Sequence, residues 1–161
     1  MRVGEFYKVS YERFDADNKS QIDSMEIYDS IELPQRATEQ SAGYDFVSPY
    51  GFTLAPGSEI KIPTGVRVKI ADGWWLMCVP RSSIGFKYGV RLANTVAVID
   101  ADYFYSENEG HIFLKLVNAG SEVFNVKKGD RIAQGIFVPY GITFSDNCKG
   151  GRNGGIGSTG E

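Results

Sequence analysis

An all-β sandwich or barrel is the fold class this chain predicts, and three observations predict it. Long amphipathic helical periods are absent from the sequence. Turn signals recur roughly every eight to twelve residues, the spacing of short strands in β domains. Across residues 59–70, Ile60, Ile62, Val66, Val68 and Ile70 are interleaved with Lys61, Arg67 and Lys69. That period of two is a strand with one buried face, broken into two strands at Pro63-Thr64-Gly65.

In chain order, residues 6–11 read as a first strand and residues 15–20 as a polar loop. Residues 25–33 read as a short strand or turn leading into Pro34, and residues 35–41 are polar and irregular. Gly51 and Pro56-Gly57 mark turns. Asp72-Gly73 is a hairpin signal ahead of an apolar strand over residues 74–79, in which Cys78 reads as a core residue. Pro80-Arg81-Ser82-Ser83 opens a polar segment with room for a short helix before Gly89. Residues 94–103, Asn-Thr-Val-Ala-Val-Ile-Asp-Ala-Asp-Tyr, form a β-branched run ending in carboxylates. With the strand at 111–117 this run predicts a hairpin whose tip holds Asp100, Asp102 and Tyr103. Residues 123–126, the turn Lys128-Gly129-Asp130 and a last strand over 131–139 complete the domain.

The chain of 161 residues suits one domain with its own core, and 42% hydrophobic with 23% charged residues is a globular balance. No apolar run approaches the roughly 18 residues that span a bilayer, and the N-terminus lacks a signal peptide's apolar stretch. These features predict a cytoplasmic protein without a membrane partner. Cys78 and Cys148 have no metal-site spacing and predict no disulfide. The net charge of -3 gives no pull toward nucleic acid as a polymer. Residues 1–145 are expected to form the domain and residues 146–161 a Gly-rich tail.

Several residues are suited to an anionic ligand. Arg81, Ser82 and Ser83 offer a guanidinium and two hydroxyls just past a strand, although a capped surface turn has the same composition. Asp45, after Gly43, suits either a turn or a metal contact through water. Gln134 places an amide in an apolar strand, where it needs partners. In the tail, closely spaced glycines with Arg152, Ser158 and Thr159 can turn N–H groups onto an anion, or can serve as a flexible end. A tail of about 15 residues reaches about 50 Å when extended, far enough to cover a site on its own or a neighbouring subunit. His111 is the sole histidine, which rules out a histidine triad or a multi-histidine metal site. A metal would be held by oxygen, which favours Mg²⁺. A general base would be a carboxylate, with Asp100 or Asp102 best placed.

In this order, the motifs resemble those of the trimeric dUTPase family over roughly residues 33–160. They are Ala42-Gly43-Tyr44-Asp45-Phe46, Pro80-Arg81-Ser82-Ser83, Asn94 through Val98-Ile99-Asp100-Ala101-Asp102-Tyr103, Gly129-Asp130-Arg131-Ile132-Ala133-Gln134, and Arg152 through Gly157-Ser158-Thr159-Gly160. Glu107-Asn108-Glu109-Gly110-His111-Ile112-Phe113 is similar to the Gram-positive bacterial and phage variant. The resemblance implies a jelly-roll-like β fold, a homotrimer with sites at subunit contacts, and Mg²⁺-assisted hydrolysis of dUTP to dUMP and diphosphate. It implies that Asp100 activates the water, and that Tyr103 stacks on deoxyribose and excludes a 2′-hydroxyl. Asn94 would read uracil, Arg81, Ser82, Ser83 and Gln134 would hold phosphates, and Asp45 would meet Mg²⁺ through water. Arg152, Ser158 and Thr159 would close over the triphosphate.

The sequence departs from the family pattern at three places. Ile156 stands where the family usually has an aromatic over the base, residues 104–110 replace a shorter turn, and the stretch through Tyr28 has no assigned counterpart. Two other readings compete with dUTP hydrolysis: a dCTP deaminase of related fold, and a dUTP-responsive regulatory protein with a protein partner of the kind phage relatives suggest. The Val-Ile-Asp-Ala-Asp-Tyr ending speaks against the deaminase.

Overall fold

The computed structural model describes residues 1–19 and 23–150. It opens with β1 (Gly4–Lys8), α1 (Tyr11–Asp17) and α2 (Ser24–Asp29). Strands β2 (Gln35–Arg36), β3 (Tyr44–Val47), β4 (Phe52–Leu54), β5 (Glu59–Pro63), β6 (Val66–Ile70) and β7 (Trp74–Pro80) follow. After α3 (Ser82–Tyr88) come β8 (Val90–Leu92) and β9 (Ala97–Ile99), a 3₁₀ turn over Ala101–Tyr105, then β10 (Phe113–Asn118), β11 (Phe124–Val126) and β12 (Arg131–Pro139).

The architecture is all-β and jelly-roll-like. A five-stranded sheet has the order β2-β3-β12-β7-β9, and β5-β10-β8 form a second sheet, with β1-β6 and β4-β11 as further antiparallel pairs. Phe46, Ile62, Leu76, Leu92, Leu114, Leu116 and Ile132 are buried between these layers, where each large aliphatic or aromatic side chain contributes roughly 1.5–3 kcal/mol. The break at Pro63-Thr64-Gly65 separates β5 from β6 as the alternation predicts. The expected short helix is α3, closed by Gly89 at φ 65, a left-handed conformation that favours glycine at a helix end. The last strand spans residues 131–139 as expected. Among the described residues, no helix is long and apolar enough to cross a membrane.

Three expectations are corrected. The strand read at residues 6–11 lies at 4–8, and residues 11–17 are helical rather than strand end and loop. Residues 24–29 form α2 where a strand or turn was expected. Each helix is too short to show a period and is set by its cap and one apolar anchor. Ser10 Oγ accepts from the Arg13 N–H in α1 and Asp23 from the Met25 and Glu26 N–H groups in α2. Phe14 and Ile27 are the buried anchors. The predicted hairpin between residues 94–99 and 111–117 does not form. β9 pairs with β7, while β10 pairs with β5 and β8. The 3₁₀ turn carries the chain from one sheet to the other.

The N-terminal stretch, unassigned from sequence, is part of the body. β1 runs antiparallel to β6 and covers that strand's edge. Phe6 packs against Tyr44, Phe46 and Phe137. The wholly buried His111 ring joins three segments. Its Nε2 accepts from the Gly65 N–H at 2.8 Å, so Nδ1 carries the proton and donates to Asp17 Oδ2 at 2.7 Å. Asp17 is held in turn by Arg13, at 2.6 and 2.8 Å.

Two outcomes follow for stability. Phe14 is 0% exposed, so Phe14→Ala should cost about 3–5 kcal/mol in denaturant unfolding. Burial holds His111 below its ordinary pKa, while the Asp17 hydrogen bond and charge oppose that shift. The unfolded imidazole takes a proton near pH 6.5 and the folded one resists it, so below about pH 6.5 the unfolded chain binds more protons and stability falls with pH. The melting temperature should therefore drop as pH is lowered through about 6.5, before carboxylates protonate near 4. His111→Gln should flatten that step.

Candidate active site

Adjacent strands β3, β12 and β7 bring three predicted residues together. Antiparallel register sets Asp45 opposite Gln134 and Gln134 opposite Val79, two positions before Arg81. Arg81 Nε lies 3.0 Å from Asp45 Oδ1, and Arg131 Nη1 lies 3.5 Å from Asp45 Oδ2. The Asp45 carboxylate is only 12% exposed, and two guanidiniums compensate its partial burial. Gln134 Nε2 donates to the Pro80 carbonyl at 3.4 Å. The Gln134 amide also fills the space beside Gly43, where a Cβ would collide with its Oε1.

Ser82 and Ser83 occupy the first turn of α3 and are exposed. Their hydroxyls sit beside backbone N–H groups that have no partner inside the helix. Asn94 is exposed in the turn before β9, and its carbonyl accepts from the Val96 N–H at 2.6 Å. Its neighbour Thr95 has φ 65, a left-handed conformation that fixes the sharp turn.

Asp100 directly follows β9, whose Ile99 pairs with Leu76 of β7. It shares an open groove with Lys69, Asp72, Asp102, Tyr105 and Tyr140. Asp102 is exposed, whereas Asp100 is half-buried. Tyr103 is 6% exposed; its hydroxyl donates to the His111 carbonyl at 2.7 Å and accepts from Asn108 Nδ2 at 2.8 Å.

The predicted residues thus fall into two groups at opposite ends of β7. The β7–β9 register puts Asp100 beside Trp75, and Arg81 lies roughly six residues further along, about 20 Å at strand rise. One chain does not bring the carboxylate and the arginine into contact distance. Arg152, Ile156, Ser158 and Thr159 lie outside the described residues.

Sequence reading missed Arg131 as a partner of Asp45. The signal was present as Asp130-Arg131 at a strand start, but its meaning depends on the β3–β12 register. For an oxygen-held cation, Asp45 is the carboxylate beside Arg81 and Gln134. Among the described residues no three His, Cys, Asp or Glu side chains converge on one point. Among the same residues, the Asp45 carboxylate faces the Arg81 and Arg131 guanidiniums and no second carboxylate.

The site therefore sets guanidinium, hydroxyl and amide groups at one strand end and a carboxylate pair at the other, on an all-β scaffold. The dUTPase family model matches residues 29–160. The deoxyuridine 5'-triphosphate nucleotidohydrolase of Lactococcus lactis subsp. lactis is 41% identical over 133 residues, 81% of this chain and 89% of that protein. The corresponding protein of Desulfitobacterium hafniense is 43% identical over 136 residues, 80% and 87% of the two chains. The crystal structure of the Streptococcus mutans dUTPase superposes with a TM-score of 0.65 at 32% identity, covering 86% of this chain and 97% of that one. The dUTPase from phage phi11 of S. aureus has a TM-score of 0.65 at 19% identity, covering 92% and 97%; at that identity the likeness is one of fold. The chain belongs to the dUTPase family.

Because Gly43 borders Gln134 so closely, Gly43→Ala should swing the Gln134 amide off the Pro80 carbonyl. Stability measured by denaturant unfolding should change by no more than about 1 kcal/mol, because the atom that must give way is the end of a flexible side chain.

Proposed function

We propose that the chain hydrolyses dUTP to dUMP and diphosphate, with Asp100 as the general base for water attack on the α-phosphorus. The observation that carries this reading is the division of the site across β7. Asp45, Arg81 and Gln134 gather at one end, and Asp100 with Tyr103 lies at the other. A triphosphate nucleotide needs both halves at once. In a homotrimer, Arg81, Ser82 and Ser83 of one protomer hold phosphates of a nucleotide whose sugar rests on Tyr103 of the next. Exposed Val98 on β9 and exposed Phe86 on α3 lie beside the two halves and suit burial between protomers.

Asn94 reads the uracil edge and Gln134 meets the phosphates. Arg152, Ser158 and Thr159 close over the triphosphate from the tail, residues 146–161, with Ile156 against the base by dispersion. Mg²⁺, when bound with the nucleotide, would supply charge neutralisation on the phosphates, and Asp45 is the residue that would meet it through water. The barrier falls mainly through placement of the water and stabilisation of phosphate charge by Arg81 and Arg152. The nucleotidohydrolase relatives at 41–43% identity support dUTP hydrolysis over dCTP deamination.

Asp100→Asn tests the assignment. Turnover of dUTP should fall by at least ~100-fold with affinity within about tenfold of wild type, the pattern of a lost general base. Near-normal turnover in that variant sinks it. Release of ammonia from dCTP by the wild-type chain would favour the deaminase instead.

A further inference from the structure

Residues 104–110 and the N-terminal stretch are two features that sequence alone leaves without a role, and they are bound to each other. Glu109 accepts from the Ser10 N–H at 2.8 Å and from Ser10 Oγ at 2.5 Å, and it pairs with Arg67 Nη1 at 3.4 Å. The Arg67 guanidinium lies 3.7 Å from the centre of the Phe104 ring, which also meets the ring of Tyr7. Glu109 has φ 59 and Gly110 φ 70. A non-glycine residue in the left-handed region persists where its surroundings impose it, and the Ser10 hydrogen bonds impose it here. Burial pushes the Glu109 carboxyl up, yet the Ser10 hydrogen bonds and the Arg67 and Arg13 charges outweigh that and hold it below its ordinary value.

Inside the loop, Asn108 has two separable functions. Its Oδ1 accepts from Ser106 Oγ at 2.8 Å and from the Gly110 N–H at 3.2 Å, which shapes the turn. Its Nδ2 donates to the Tyr103 hydroxyl at 2.8 Å, and that hydroxyl donates to the His111 carbonyl at 2.7 Å. The Tyr103 ring is thereby fixed at its far end by both flanks of the loop. His111 is in turn anchored to Asp17 of α1.

We propose that Asn108 is a positioning residue for sugar discrimination: it locks the plane of Tyr103, and the Ser10–Glu109 latch holds Asn108 in place for it. This rests on the reading above that Tyr103 faces the deoxyribose. A ring free to tilt leaves room for a 2′-hydroxyl, so discrimination against the ribonucleotide depends on the lock and not only on the ring. The N-terminal segment is on this account part of the active-site scaffold.

The test compares kcat/KM for dUTP and UTP, each with Mg²⁺, in the wild type, Asn108→Asp, Asn108→Ala, Tyr103→Phe and the Tyr103→Phe/Asn108→Ala double variant. Asn108→Asp keeps both Oδ1 acceptor functions but sets a carboxylate oxygen where the N–H stood, so the single Tyr103 proton faces two acceptors and the present bond to the His111 carbonyl is lost or weakened while the turn is kept. It should lower the dUTP-to-UTP ratio by at least about tenfold, chiefly through higher UTP turnover. Its melting temperature should stay close to that of the wild type. Tyr103→Phe should lower the ratio comparably, and adding Asn108→Ala to it should change the ratio little, the non-additivity expected of one shared interaction. An unchanged ratio in a folded Asn108→Asp or Asn108→Ala variant overturns the proposal. Loss of the fold in both variants also overturns it, because Asn108 would then be structural. A wild-type chain that does not prefer dUTP to UTP refutes the underlying reading of Tyr103 directly, which separates the two failures.

Discussion

The constraint on which the rest depends is the pairing of β7 along both of its edges. β12 bonds it on one side and β9 on the other, so neither its height nor its twist can be altered independently. Register then decides chemistry. Leu76 opposite Ile99 sets the height of Asp100, and Val79 opposite Gln134 opposite Asp45 sets the height of Arg81. Sliding β9 by one residue would turn Ile99, buried at 8% exposed, to the other face. Asp100 is thus held in place by the burial of its neighbour as much as by any contact of its own.

A second consequence concerns how the molecule uses its polar groups. Its one histidine is spent on architecture, joining the Gly65 turn to α1, and the site is left with carboxylates, guanidiniums, hydroxyls and amides. Two of the site's charged groups, Asp45 and Arg81, already face each other in the free chain. Such pairs contribute modestly to stability, but they limit the rotamers open to a long arginine side chain. A guanidinium held by a carboxylate is aimed before any ligand arrives, which lowers the ordering cost of whatever it binds.

Much of the fold was legible because local pattern suffices for it. The alternation over residues 59–70, the Arg81-Ser82-Ser83 helix start and the Gly89 stop all report structure within a few residues of themselves. What the sequence did not show is mostly pairing at a distance. The Asn94–Tyr103 stretch looks like one arm of a hairpin, yet its partner is β7 rather than β10, and no local signal distinguishes them. Helices α1 and α2 were readable in principle from Ser10 and from the Asp23-x-x-Glu26 cap, but each offers a single buried anchor and no period. The candidate site residues stand out in the sequence as an ordered set of motifs. Their division between the two ends of β7 does not, because that division exists only once the strands are in register.

The position of β12 has a consequence for how the chain is made. Residues 131–139 of 161 lie between β3 and β7 in the middle of the largest sheet. During synthesis from the N-terminus, β3 and β7 emerge long before the strand that joins them, and each waits with an unsatisfied edge. Local pieces such as the β5–β6 turn and α3 can form early, but the central sheet can close only after nearly the whole chain is out. Assembly is therefore late and dominated by contacts remote in sequence, the regime in which folding is slow and exposed strands are vulnerable to wrong partners. A ribosome stalled shortly before residue 131 would hold a chain with almost every element of the fold but without the strand that joins β3 to β7.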